Sequence, residues 1–184
     1  MNYVYHGSSV PNLKIIKPRK SAHIKEWVYG SPSIAVSTIF LSPMHSDYYY
    51  HLEGDGVNYD LILVERKEGM FREIFNYNGY IYILDGTNFK SGLTGWTAEV
   101  VSEHEEKVID TIYVENIYEE LIRLNREGKL KLYLYPLRPS YIPLDNSDLI
   151  PKVIRWQERG LNIDRFFEIY PELKEKYLEM IKNK

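Results

Sequence analysis

The first candidate for chemistry is a histidine at the end of an apolar stretch, His6, which is followed by Gly7 and Ser8. A histidine in this position can hydrogen-bond the hydroxyls of a ribose, and a glycine lets a ligand approach the backbone N–H and C=O closely. None of the histidines forms a His-x-x-x-His or His-Glu-x-x-His pair, so the sequence predicts no metal site. The histidines are His6, His23, His45, His51 and His104.

Several other catalytic arrangements are missing from the sequence. The chain has no cysteine, which excludes a thiolate nucleophile and a cysteine zinc site. Ser8 is not part of a Gly-x-Ser-x-Gly turn, and there is neither a Walker loop nor a Gly-x-Gly-x-x-Gly, so we expect no serine hydrolase and no ATP site. What remains is a run of carboxylates that is either a solvated face or the source of one catalytic group. The run contains Glu99, Glu103, Glu105 and Glu106.

The elements that must position these residues form a mixed α+β fold. Alternating and β-branched stretches, where most of the tyrosines lie, predict strands, and apolar residues at helical spacing predict helices. The predicted strands are Tyr3–His6, Val28–Tyr29, Tyr59–Arg66, Gly79–Leu84, Thr97–Ser102, Val108–Val114 and Leu130–Tyr135. The predicted helices are Ile34–Leu41, Glu115–Glu127, Asp148–Arg159 and Pro171–Lys182.

Length and charge restrict the class of protein. A chain of 184 residues is the usual size of one domain, and its net charge of −3 argues against a large nonspecific surface for nucleic acid. The first residues contain no apolar signal-peptide core, and nowhere is there a run of about 18 apolar residues. We therefore expect a soluble, cytoplasmic protein without a membrane partner.

Three segments together resemble the ADP-ribosyltransferase fold of the poly(ADP-ribose) polymerase and diphtheria-toxin type, whose signature is a His, a Tyr and a Glu on successive strands. The segment Tyr5-His6-Gly7-Ser8 is similar to the first motif of that family. Tyr29 falls on the motif tyrosine, and Ser37 and Phe40 follow it at the family's spacing. Glu99 lies in the segment that resembles the strand of the third motif.

The resemblance implies a split β-sheet catalytic core over residues 1–140 and a helical cap of the same domain over residues 141–184. It implies an NAD⁺-consuming mono-ADP-ribosyltransferase or NAD⁺ glycohydrolase, with no metal and with an unknown protein or nucleic-acid acceptor. Cleavage of the nicotinamide–ribose bond develops positive charge, which the carboxylate of Glu99 would stabilise, with Glu103 and Glu105 as the next candidates. The residues expected to hold NAD⁺ are His6, Gly7, Ser8, Tyr29, Ser37 and Phe40.

Other interpretations stay open. The fold also serves as a catalytically silent module that binds a nucleotide or a protein segment. A related RNA 2′-phosphotransferase would need several arginines, for which Arg19, Arg66 and Arg72 are the candidates. The Glu-x-Glu at residues 103–105 is typical of the arginine-specific branch of the fold, but a histidine on the first strand favours the His-Tyr-Glu branch. Taken alone, Phe40 is also suited to a place in the core.

Overall fold

The fold is mixed α+β, in a computed structural model that describes residues 2–20 and 25–182. His23 lies outside the described residues. The strands are β1 (Tyr3–Ser8), β2 (Ile15–Ile16), β3 (Arg19–Lys20), β4 (Glu26–Gly30), β5 (Tyr50–Glu53), β6 (Ile62–Glu65), β7 (Gly79–Asp85), β8 (Lys90–Ser91), β9 (Val100–Ser102), β10 (Glu106–Val114) and β11 (Lys131–Tyr133). The helices are α1 (Ile34–Ile39), α2 (Met70–Ile74), α3 (Ile117–Arg126), α4 (Ile150–Glu158), α5 (Asp164–Ile169) and α6 (Lys174–Lys182).

The first sheet has the antiparallel order β1–β7–β10–β2 and places His6 and Gly7 on opposite faces. His6 lies opposite Tyr82, on the face that Val4 also occupies, whereas Gly7 lies opposite Ile81. The face with Val4 and Tyr82 packs toward the second sheet in one buried cluster. The face with Ile81 belongs to the larger cluster that α1 and α3 cover. Each side chain of β1 is therefore assigned to a face by its register with β7.

The second sheet has the order β3–β4–β9–β8 and joins the first at one point. Tyr5 and Ser31 exchange backbone hydrogen bonds of 2.8 and 2.9 Å, so the end of β4 lies beside β1. The close approach requires Gly30, because a Cβ atom there would lie 2.4 Å from the Cγ1 atom of Val4. The two antiparallel sheets thus meet along an edge of β1, close to His6.

The third sheet and the C-terminal helices surround the main core. Its order is β11–β6–β5, with β11 parallel to β6. Buried residues of α1, α3, α4 and α5 share one cluster, represented by Ile39, Leu121, Val153 and Phe166. The longest helix among residues 2–20 and 25–182 is α3, which has 10 residues, whereas about 20 are needed to cross a bilayer.

Most predicted elements are present, but several predicted bounds are wrong. The strand predicted at Thr97–Ser102 is only Val100–Ser102, because the chain turns before it and the N–H of Glu99 donates to the carbonyl of Trp96 at 3.2 Å. The strand predicted from Tyr59 begins at Ile62, because Asp55 accepts hydrogen bonds from the backbone N–H groups of residues 57–59 and holds them in a turn. The strands β2, β3, β5 and β8 and the helices α2 and α5 were not predicted, since each is too short to show a clear period.

Candidate functional site

The site is a cavity of about 480 Å³ beside the junction of the two sheets. Parts of β1, β4, α1 and the segment before β9 form its walls. Six residues singled out from the sequence line it: His6, Gly7, Tyr29, Ser37, Phe40 and Glu99. Its other lining residues are Tyr5, Gly30, Ser31, Val36, His45, Trp96 and Ala98.

His6 is held as a neutral hydrogen-bond acceptor. Its Nδ1 atom lies 2.7 Å from the carbonyl oxygen of Tyr29, and a carbonyl oxygen can only accept, so Nδ1 carries the proton. Burial lowers the pKa of His6 below its ordinary value of 6.5; the hydrogen bond to Tyr29 opposes this effect and the charge of Arg19 adds to it. The Nε2 atom of the neutral ring is left with a lone pair that can accept from a ligand hydroxyl.

The backbone of Gly7 lines the cavity, and α1 occupies the space where a side chain would lie. The N–H and C=O groups of Tyr5 bond to Ser31 and so point away from β7. Every second residue of a strand directs these groups to the same side, so the N–H and C=O of Gly7 also point away from β7. A Cβ atom on Gly7 would lie 2.7 Å from the backbone oxygen of Ser37. We expected the glycine to make room for a ligand, but the space that it leaves is taken by α1.

Ser37 is fixed by the strand that it faces. Its Oγ donates a 2.8 Å hydrogen bond to the carbonyl of Tyr5, and the residue is buried on α1. The same hydroxyl oxygen keeps lone pairs that can accept from an amide N–H. Together with the backbone of Gly7, it provides donor and acceptor groups in the lining of the cavity.

Three of the lining residues have aromatic rings that lie against one another. The ring of Phe40 lies 4.8 Å from the ring of His45 and 5.6 Å from that of Trp96. Phe40 is 43% exposed, so the interpretation as a core residue is wrong. Burial lowers the pKa of His45, which favours its neutral form. Sequence reasoning did not select His45 or Trp96 for the site. His45 follows Phe40 by five residues but belongs to no motif with it, and Trp96 reaches Phe40 only through tertiary packing.

Glu99 is the acid of the run that reaches the cavity. It directly precedes β9 and is partly buried. The other two candidates are exposed and form ion pairs: Glu103 with Lys25 at 3.7 Å and Glu105 with Lys17 at 3.1 Å. For Glu103 and Glu105 the interpretation as a solvated face is confirmed, and neither lines the cavity.

Glu106 and Ser8 do not line the cavity, and each forms a hydrogen bond within the fold. Glu106 is buried and accepts a 2.5 Å hydrogen bond from Ser102 Oγ. Ser8, which was predicted to bind NAD⁺, does not line the cavity, since its hydroxyl accepts from the N–H of Val10 in the turn after β1. Among residues 2–20 and 25–182, no group of three His, Asp or Glu side chains is arranged to hold a metal ion.

The neutral state of His6 predicts how stability changes with pH. Because its folded pKa lies below 6.5, the unfolded chain binds the proton more tightly, and the free energy of unfolding falls as pH drops from 6.5 toward the folded pKa. Each unit of lowering is equivalent to about 1.4 kcal/mol. We expect His6→Gln to reduce this loss in chemical denaturation at a series of pH values. The exposed His104→Gln is the matched control, and an equal slope in both variants would contradict the assignment.

No family model, curated protein or solved structure matches this chain. The function is therefore inferred from the geometry of the cavity and from the chemistry of the side chains that line it.

Proposed function

We propose that the protein consumes NAD⁺, as a mono-ADP-ribosyltransferase or an NAD⁺ glycohydrolase with a split-sheet ADP-ribosyltransferase core. The observation that carries the proposal is that His6, Tyr29 and Glu99, which come from three separate segments, line one cavity. The cavity also combines an aromatic wall with paired hydrogen-bonding groups at Gly7 and Ser37, which suits a planar aromatic amide such as nicotinamide.

Each residue has a defined part in the proposed reaction. His6 accepts a hydrogen bond from a hydroxyl of the adenosine ribose, while Tyr29 and Phe40 flank the nicotinamide ring. The bond between C1′ of the second ribose and the nicotinamide nitrogen breaks, and its electron pair neutralises the pyridinium. Glu99 stabilises the positive charge that develops at C1′ and takes the proton of the incoming oxygen nucleophile as the new bond to C1′ forms. With water as the nucleophile, the product is ADP-ribose.

The alternatives have less support. A silent binding module has no need of a carboxylate in its cavity, whereas Glu99 lines this one. An RNA 2′-phosphotransferase needs arginines in the site, but in the part of the chain that the structure describes the cavity is lined by no arginine. Arg66 is fully buried against Asp148, and Arg72 lies over the ring of Tyr118. Of the three candidate arginines only Arg19 has its charge near His6, and a single arginine is fewer than the several that a phosphotransferase needs.

The decisive experiment is to incubate the purified protein with NAD⁺ and to follow nicotinamide release by chromatography. In parallel, a thermal-shift titration with NAD⁺ reports binding without turnover. We expect both release and a rise in melting temperature. Binding without release, with and without added protein and nucleic-acid acceptors, would favour the silent module. Neither binding nor release would contradict the proposal.

A further inference from the structure

The cavity needs a positive charge that its own walls do not supply. Of the residues that line it in the described part of the chain, none is Lys or Arg, and Glu99 brings a negative charge. A dinucleotide carries two phosphate groups between its riboses, and buried or partly buried phosphate is normally met by Arg, Lys or backbone N–H groups. A diphosphate bound here would therefore require a cation next to the cavity.

Arg19 is placed beside the cavity by the register of two strands. β3 runs antiparallel to β4 with Arg19 opposite Trp27, so both side chains lie on one face of the second sheet. Tyr29 follows Trp27 by two positions and lies on the same face, and the two rings meet edge to face at 6.0 Å. Arg19 and Tyr29 are thus diagonal neighbours, a relation that spans about 7–8 Å and is within reach of a long side chain.

The charge of Arg19 is exposed and acts on the site. It is one of the causes that lower the pKa of His6. Neighbouring cations have carboxylate partners, Lys17 with Glu105 and Lys25 with Glu103. Within residues 2–20 and 25–182, Arg19 forms no ion pair with a carboxylate and stays exposed on β3.

We propose that Arg19 forms a phosphate subsite at the edge of the cavity, which binds the diphosphate of a nucleoside diphosphate ligand. The inference rests on the proposed function and adds a specificity determinant to it. The ribose that His6 binds carries the diphosphate on its own 5′ carbon, so a cation near His6 lies where those phosphates must pass. A guanidinium offers planar, paired donors that match phosphate oxygens.

The test compares Arg19→Gln with Lys20→Gln by calorimetric titration with ADP-ribose and with adenosine. Lys20 is adjacent in the chain but lies on the opposite face of the sheet, opposite Glu26, which makes it the matched control. We expect Arg19→Gln to raise the Kd for ADP-ribose about tenfold, as loss of a charge-assisted hydrogen bond does, and to leave the Kd for adenosine unchanged. Lys20→Gln should bind both ligands like the wild type.

Failure of the subsite can be distinguished from failure of the proposed function. If the wild type releases nicotinamide from NAD⁺ and binds ADP-ribose, but Arg19→Gln does so equally well, the subsite is wrong and the proposed function stands. If Arg19→Gln weakens adenosine binding as much as ADP-ribose binding, Arg19 acts on the fold or on His6, and the subsite is again wrong. A wild type that neither releases nicotinamide nor binds ADP-ribose overturns the proposed function itself.

Discussion

Glu99→Gln is expected to lower the rate of nicotinamide release by about a hundredfold or more, because an amide cannot stabilise the positive charge that develops at C1′ in the transition state. Ligand affinity should stay nearly unchanged, since glutamine has the same shape and Glu99 acts after the ligand is bound. The turnover rate is measured by chromatography of released nicotinamide. The affinity is measured by titration with ADP-ribose, which has no nicotinamide to lose.

The acidic run supplies its own controls for this experiment. Glu103→Gln and Glu105→Gln make the same chemical change within a few residues of Glu99, but both side chains are exposed and paired with Lys25 and Lys17. Exposed pairs of this kind contribute at most about 1 kcal/mol, so both variants should keep wild-type turnover. Full turnover in Glu99→Gln would remove Glu99 from the reaction. Loss of turnover in either control would identify Glu103 or Glu105, and not Glu99, as the catalytic carboxylate.

The set of residues around the cavity was partly predictable because several signals are local. His6 and Gly7 follow one another in β1, which continues to Ser8 and does not end at His6 as predicted. Ser37 lies in α1, and Phe40 follows it by three residues at the C-terminal end of that helix. Residues this close in the chain stay together even when the predicted bounds of an element are wrong by one or two residues. Glu99 was selected as part of a strand, yet it precedes β9 and still lines the cavity.

The features that the sequence could not predict depend on tertiary packing. Trp96 contacts Phe40 from a distant segment of the chain, and His45, which follows Phe40 by five residues, forms no recognisable motif with it. From the sequence, we attributed the glycine at position 7 to the close approach of a ligand. In the structure, a side chain at this position would instead clash with the backbone of Ser37. Arg19 was considered only for a phosphotransferase, because the pairing of β3 with β4 cannot be seen in a two-residue strand.

Asp148→Ala is expected to lower the free energy of unfolding by about 3 kcal/mol, the lower end of the range for breaking a buried ion pair. Asp148 accepts two hydrogen bonds from the guanidinium of Arg66, at 3.1 and 2.9 Å. The side chain of Arg66 is 0% exposed and that of Asp148 is 29% exposed, so without Asp148 the charge of Arg66 stays buried, with Asn146 Oδ1 still accepting at 3.3 Å. The ion pair also connects Arg66, which directly follows β6, to Asp148, which lies just before α4. Chemical denaturation measures the loss.

The matched control for Asp148 is Asp60→Ala, since Asp60 pairs with Lys131 at 2.5 Å but both side chains are more than half exposed. It should change the free energy of unfolding by less than about 1 kcal/mol. The double variant Arg66→Met with Asp148→Ala should recover part of the lost stability, because it removes the uncompensated buried charge together with its partner. An equal loss in Asp148→Ala and Asp60→Ala would mean that the buried pair stabilises the fold no more than a surface pair. Nicotinamide release per folded molecule should be unchanged in all three variants, because neither Arg66, Asp148 nor Asp60 lines the cavity.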